Sequence, residues 1–551
     1  MKTDAFTTLY GERLNDSYDC ADRIVLNAYF IFAQSGGGFR EWWRLLHGTE
    51  DNLTNTALMK YAGRFARRVH AYAQANQIPI RECCGKERKD ELSDDLRPKD
   101  EKFRGLFAIL YSRAPAPVRD VHRSQQGGFH IQTKSPMPWV NHYAFHFLDD
   151  EWGHVIIRFC PHPPFNAMII LNGHEYVERE ARRQGLSFRK EENCFTELPN
   201  ADGLTKIADT MISPDGRDVG RLSQVAERWI YTSCLCFALD MAEQERSGFR
   251  YQYSVYQAEY SRNYLFRRNH DLETIFNGLI DRTRARLDLR LVKTIFGAQR
   301  RRYYRNEKGQ LPRMEVSVET PVYDLTIVRI HFGCLTIKMY SKGGRVLRVE
   351  VALHNARRLG CGYGIEKFPV IANRLRDILD RFVTVLESVD QPFADTATLE
   401  QWPARSTLDG KPVAGVDLNK SRMRAVSEAV LALAIRPKGF RAGDLAERVR
   451  AGNDPALKDY TTRQAAYDLR KLRGKQVVGK APKSLRYTVL PDGLRRLTAW
   501  LVLRDQVLAP LLANDGYRRR VPKCHMSPTE VHYDNMQREM QAVFDILNIA
   551  A

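Results

Sequence analysis

The chain has 551 residues, enough for three or four domains at the usual domain size. Lys and Arg number 85 against 66 Asp and Glu, a net charge of +19, while 27% charged and 43% hydrophobic residues are ordinary globular usage. This excludes a disordered polyelectrolyte and leaves a folded protein whose cation excess suits nucleic acid, because each Lys or Arg that neutralises a phosphate releases a counterion.

No stretch approaches the roughly 18–20 apolar residues of a membrane span, and residues 430–435 are far too short. Asp4 and the lack of an apolar core near the start argue against a secretion signal. The ten cysteines form no Cys-x-x-Cys pair; Cys83 and Cys84 are adjacent, and Cys234 and Cys236 lie one residue apart. That spacing speaks against a zinc ribbon or a disulfide scaffold and for reduced thiols in a cytoplasm. There is no fixed-period repeat, so a solenoid is excluded.

The pattern predicts an α+β multidomain chain: a helical N-terminal region, a mixed sheet-and-helix core and a C-terminal winged helix-turn-helix. Residues 1–113 read as mainly helical. Leu58, Tyr61, Phe65, Val69 and Tyr72 follow the 3.6-residue period in residues 57–77. Residues 105–111 read as a short strand. Residues 114–200 are an α+β region, with 142–148 and 154–160 forming a hairpin, 167–171 a third strand, and a helix through Arg183. Asn172 can cap that helix, with Glu175 reaching back in a capping box. Seven of the fourteen histidines fall between His122 and His174. His142 and His146 lie about 13 Å apart along a strand, too far for one metal.

Residues 201–310 read as helical. There Tyr256, Tyr260 and Tyr264 recur every four residues, which on a helix lines one face, with Arg267 and Arg268 nearby. Arg300, Arg301 and Arg302 open a further basic cluster. Residues 311–391 carry the best strand signals, at 326–332, 335–341 and 346–353, then a long amphipathic helix at 371–389. Period-2 alternation puts Lys338, Tyr340 and Lys342 on one face of the second strand, and Arg348 and Glu350 on one face of the third. If these faces coincide, a carboxylate, a phenol and three cations meet. Glu350 is then the candidate ligand for a divalent ion such as Mg²⁺ or Mn²⁺, and the cations clamp phosphates. A plain ion pair from Lys338 or Arg348 to Glu350 explains the same pattern.

Residues 392–420, with their prolines and glycines, read as a linker. Residues 421–514 hold helices at 421–435, 442–449 and 461–473, short strands at 476–478 and 485–490, and a closing helix at 494–508. Three helices and a two-stranded hairpin of these lengths are the winged form of the helix-turn-helix. Between Thr461 and Leu490, Arg463, Arg470, Lys471, Arg473, Lys475, Lys480, Lys483 and Arg486 stand against the lone acid Asp468. Residues 515–551 read as a basic hinge and a final helix.

The C-terminal pattern resembles the multiple-antibiotic-resistance-type regulators, which implies a third helix in the major groove and a wing on the DNA backbone. Tyr340 and Lys342 on one strand, then Arg348 and Glu350 on the next, resemble plasmid and phage rolling-circle replication initiators over about twenty residues. There the Arg-x-Glu glutamate helps bind a metal and a tyrosine attacks phosphate. That likeness implies metal-dependent strand nicking; nicking needs a nucleophile, for which Tyr260 or Tyr256 is the candidate, while the same tyrosine row also reads as a packing face or a platform for stacking bases. The initiators' paired-histidine motif is absent, which weakens this implication. Asn172-Gly173-His174-Glu175, Glu259 to Asn263, Phe266 to Asn269, Lys338 to Tyr340 and the winged helix together resemble a family of bacterial hypothetical proteins, which implies domain order and no particular reaction.

The expectation is therefore a cytoplasmic DNA-binding protein, of a mobile or replicating element, with nicking as its enzymatic version. A non-catalytic transcriptional regulator and a structured-RNA-binding protein are the alternatives.

Overall fold

The computed structural model describes residues 4–84, 87, 89–123, 129–191, 193–213, 219–287, 314–322, 325–332, 334–342, 344–390, 400–434, 439–452, 454–481 and 484–504, with residues 531, 535, 536, 538 and 539. Two compact units emerge. Residues 1–2, 12–272 and 317–379 make the first, and residues 3–11, 273–316 and 380–551 the second.

One large sheet organises the first unit. Along the chain come β1 (Leu14–Tyr29), α1 (Gly36–His47), α2 (Asn55–Ala75), β2 (Ile80–Glu82) and β3 (Gly105–Pro115). A side hairpin, β4 (Arg119–Arg123) with β5 (Phe129–Thr133), precedes β6 (Trp139–Asp149), β7 (Gly153–Phe159) and β8 (Ala167–Asn172). Then follow α3 (Gly173–Arg183), a second small hairpin of β9 (Arg189–Glu191) and β10 (Cys194–Glu197), α4 (Ala201–Thr210), α5 (Val219–Ser233) and β11 (Gln252–Phe266). The chain continues through α6 (Asn269–Leu287), β12 (Met314–Val322), β13 (Leu325–Phe332), β14 (Leu335–Lys342), β15 (Val346–Leu353) and α7 (Phe368–Asp390).

The sheet order is β12-β13-β14-β15-β11-β1-β8-β7-β6-β3-β2. Its two arms meet where the long strands β1 and β11 pair antiparallel, and they share one plan. In each, a long strand leads through helix to further sheet strands, the last of which returns beside the long strand: β2, β3, β6, β7 and β8 in one arm and β12, β13, β14 and β15 in the other. The return strands end alike. Asn172 accepts the amide of His174 at 2.9 Å, and Asn355 accepts that of Arg357 at 3.1 Å, each starting a helix. The duplication is one of topology, without a sequence period to announce it.

Burial explains the strands. In β7, Val155, Ile157 and Phe159 are buried and alternate with His154, Ile156 and Arg158, as a strand with one packed face requires. In β15 every residue is buried, because it lies mid-sheet with both faces covered. Helix α2 buries Leu58, Tyr61, Phe65, Val69 and Ala73, and Phe65 stacks on Phe159 of β7 with centroids 5.1 Å apart.

Several expectations are corrected here. Residues 1–113 are not mainly helical, since they include the sixteen-residue β1. Tyr256, Tyr260 and Tyr264 lie on a strand, β11, and not on a helix. The regions 1–113, 114–200, 201–310 and 311–391 each give strands to the same sheet. The described part of the 392–420 segment is built in: Trp402 and Val416 are buried in the second unit's core, and β16 (Ser406–Leu408) pairs with β17 (Lys411–Val413). The basic hinge, and all but five residues of 529–547, lie outside the described residues.

The second unit's C-terminal part runs α8 (Ser421–Leu433), α9 (Ala442–Arg450), α10 (Thr462–Gly474), β18 (Val478–Lys480), β19 (Tyr487–Val489) and α11 (Pro491–Val502). Ala465, Leu469 and Leu472 of α10, at i, i+4 and i+7, form one fully buried stripe. Between α8 and α9, Phe440 forms a single antiparallel bridge to Tyr487, with hydrogen bonds of 2.9 and 2.7 Å, adding a third member to the β18–β19 hairpin. Among the described residues no helix is long and apolar enough to cross a membrane.

Gly173, where β8 turns into α3, leaves no room for a side chain: a Cβ there would collide with the carbonyl oxygen of Ala21 on β1. Gly173→Ala must push α3 off the sheet, and we expect a loss of about 2 kcal/mol or more in denaturant unfolding of the full chain. A stability within about 0.5 kcal/mol of the parent would contradict this packing.

Candidate functional site

In the second unit, the cations around α10 fall into two groups. Those turned inward are held by protein. Asp468, fully buried, takes Arg422 of α8 at 2.8 Å, Lys471 at 3.2 Å and the Tyr460 hydroxyl at 2.8 Å. Burial, then the Asp468 carboxylate, pushes the Tyr460 phenol far above its ordinary value, so it stays a donor. Lys475 donates to the carbonyl of Gln401 at 2.5 Å, and burial lowers its pKa. Arg473 lies 3.7 Å from Asp409 at the tip of the β16–β17 hairpin, and Arg486 reaches the carbonyl of Gly439 at 3.4 Å.

The other group faces out. Arg463 is exposed, Arg470 half-buried and Lys480 exposed, and no described residue is recorded as an ion-pair partner for them. Tyr467, 48% exposed, sits on the same helix face as Arg463 and Arg470, since offsets of four and seven residues bring side chains nearly into line. Thr461 and Gln464 close a capping box that fixes the start of this helix: Thr461 Oγ1 accepts the Gln464 amide at 3.2 Å, and Gln464 Oε1 accepts the Thr461 amide at 2.7 Å. Lys483 lies outside the described residues.

In the first unit, the predicted coincidence of faces on β14 and β15 holds. Lys338 stands opposite Glu350 and Tyr340 opposite Arg348. Lys338 Nζ is 2.6 Å from Glu350 Oε1, and the Tyr340 hydroxyl donates to Glu350 Oε2 at 3.0 Å. Both carboxylate oxygens of the expected metal ligand are thus engaged by protein donors. The pair is not solvent-facing, because Glu350 is 3% exposed. Burial pushes the Tyr340 phenol far above its ordinary value, and Glu350 adds to it.

Arg348, expected to clamp phosphate, is instead fully enclosed and saturated. Its Nε donates to Asn263 Oδ1 at 2.7 Å, one terminal nitrogen to Asp22 Oδ2 at 3.0 Å, and the other to the carbonyl of Asn193. Asp22, 4% exposed, also takes the Asn193 amide and faces His174 Nδ1 at 3.4 Å, while His174 Nε2 is 3.4 Å from the Tyr18 hydroxyl. Burial pushes the Asp22 carboxyl up, but Arg348 and His174 outweigh it and hold it well below the carboxylate range. Burial lowers the His174 pKa below its ordinary value, against the pull of Asp22. Asn172 caps α3 as expected, yet Glu175 does not reach back: it lies 3.4 Å from both Arg97 and Lys190.

Glu259 of β11 belongs to the same face. Its nearest recorded cation is Lys338, at 3.9 Å and already bound to Glu350. Burial, reinforced by Glu350, pushes Glu259 up to about 7. This group was not singled out from sequence as a site residue; its signal is the two-residue alternation of Glu259, Ser261 and Asn263, visible only once β11 is known to be a strand.

On the opposite face of β11, Arg262 and Asp19 form a bidentate pair at 2.7 and 2.8 Å, both buried. Tyr260, 1% exposed, accepts a hydrogen bond from Arg376 of α7 at 2.9 Å. It is a core residue and cannot meet DNA, which corrects its expected role as a nucleophile; Tyr256 is half-buried on the same strand. Arg267 bonds the carbonyl of Leu14 at 3.1 Å, Arg268 is exposed, and Lys342 is half-buried at the end of β14. Arg300, Arg301 and Arg302 lie outside the described residues.

Among the described residues, no group of three or more His, Cys, Asp or Glu side chains is placed to hold a metal ion. His146 and His154 meet at 3.0 Å, and burial takes His146 down to about 3.

No protein-family profile matches the chain, and no curated protein matches it. Among solved structures, the di-domain ARO/CYC BexL from the BE-7585A biosynthetic pathway overlaps 51% of this chain and 89% of its own, at 10% identity and a TM-score of 0.14. That likeness is too loose to carry a fold or an activity.

Two outcomes check the polar centre. Asp22→Ala strands the buried Arg348 charge and should cost roughly 3–5 kcal/mol in denaturant unfolding, with much of it recovered by adding Arg348→Met; a cost below about 1 kcal/mol would mean that the pair does not tie the strands. Glu259, being easier to protonate folded than unfolded, contributes stability that is full below pH ~4.5 and is lost as pH rises through about 7. Glu259→Gln should therefore stabilise the chain at pH 8 and scarcely at pH 4. An equal effect at both pH values would exclude the raised pKa.

Proposed function

We propose that this protein binds duplex DNA through the C-terminal part of its second unit, which acts as a winged helix. The element order supports it: helix α8, the single bridged residue Phe440, helices α9 and α10, the β18–β19 hairpin, then α11. In that arrangement the third helix is the one presented to the major groove. The observation that carries the reading is the outer face of α10, where Arg463, Tyr467 and Arg470 point away from the buried stripe while Asp468, the acid on that helix, is consumed inside. A row of cations beside an aromatic ring, with no acid on its surface, is complementary to a phosphate-lined groove.

The reading is of a binder. The nicking version loses its support, since Tyr260 is sealed beneath Arg376 and Glu350 has both oxygens occupied. Cytoplasmic residence remains part of the proposal on the cysteine spacing, and service to a mobile or replicating element on the sequence resemblance.

The test is titration of a labelled random-sequence duplex with the full chain between 50 and 200 mM salt. Binding in the 10⁻⁴–10⁻⁶ M range that weakens steeply with salt is expected, and Arg463→Glu with Arg470→Glu should abolish it. Binding that survives this double charge reversal, or no duplex binding at all, would overturn the proposal.

A further inference from the structure

The sequence offers eight cations between Thr461 and Leu490, all equal as symbols. The structure places seven of them, Lys483 lying outside the described residues. Lys471 is spent on Asp468, Lys475 on the carbonyl of Gln401, and Arg486 on that of Gly439, while Arg473 leans towards Asp409. A head group held by its own protein must loosen that contact before it can lie flat against a base edge. On the outward face of α10 this leaves Arg463 and Arg470, with Tyr467 between them, and on the β18–β19 hairpin Lys480.

We propose that α10 reads two guanines about three base steps apart, one with Arg463 and one with Arg470, while Lys480 holds a phosphate. The inference rests on the duplex-binding reading above and goes beyond it by assigning the readout. Seven residues of helix advance about 10 Å, and stacked base pairs rise about 3.4 Å each, so two side chains on one face seven residues apart span three steps. Arginine's planar fork matches the O6 and N7 acceptors of guanine in the major groove, which no other base presents together. Lys480 is a compact charge on an exposed strand end, suited to a phosphate and unsuited to a bidentate contact. Tyr467, its ring centroid 4.9 Å from the Lys471 ammonium, lies between the two arginines in sequence on that face.

The test is selection of preferred duplexes from a random library by the full chain, followed by affinity measurements on the selected site. The expected site holds two guanines separated by two base pairs, and 7-deazaguanine at either should weaken binding about 10- to 100-fold. Arg463→Ala should erase the preference at one guanine and Arg470→Ala at the other, each weakening the selected site more than unselected duplex. Lys480→Ala should weaken all sequences alike and reduce the salt slope by about one. Both arginines project from the helix surface, and an unaltered thermal transition for each variant will show that the fold is kept. Selected sites without that guanine pair, or arginine variants that lose affinity uniformly, would overturn the inference while leaving duplex binding standing. A chain that binds no duplex would end both.

Discussion

A charge removed from water must meet its opposite inside the protein, and this constraint sorts the cations of the chain. In the first unit it decides where the strands lie. Arg348, Asp22, Asn263 and His174 come from β15, β1, β11 and the start of α3, and none of the charged members is stable in its place without the others. Arg262 and Asp19 do the same work on the reverse face. The long pairing of β1 with β11, on which both arms of the sheet hang, is therefore pinned by ion pairs through its two faces as well as by its ladder.

In the second unit the same rule sets which charges are left for a partner. Asp468 draws Arg422 and Lys471 inward, and with them α8 against α10. What a partner meets is the remainder, a short row on one helix face. The surplus of +19 is a sum over the whole chain and names no surface, and recognition in the proposed reading belongs to the side chains the fold has not already used.

Much of the fold was legible, and each failure has its own physical cause. The β6–β7–β8 strands and β13 to β15 show their alternation because their polar residues face out or pair with an adjacent strand. The helix α10 shows its stripe because the contacts are local. By contrast β1 carries Asp16, Asp19 and Asp22 in what ought to be an apolar core strand, and these read as surface until their partners, 243 residues away for Asp19 and 326 for Asp22, are known. The tyrosines of β11 fail differently: a spacing of four places side chains on one face of a helix and equally on one face of a strand, so the period could not choose. The Lys338, Tyr340, Arg348 and Glu350 constellation was found correctly, but its burial was not, and burial turns a phosphate clamp into an internal network. Asp468, counted as one acid against eight cations, is likewise seen by sequence as charge and by structure as a counterion.

The sorting itself can be measured. Arginine-specific dicarbonyl modification of the native full chain, read by mass spectrometry with and without duplex DNA, reports which guanidinium groups are free. The account predicts that Arg348 and Arg262 resist modification throughout, whereas Arg463 and Arg470 react in the free protein and are protected by DNA. Ready modification of Arg348 in the folded chain, or Arg463 and Arg470 left equally reactive on saturating DNA, would contradict it.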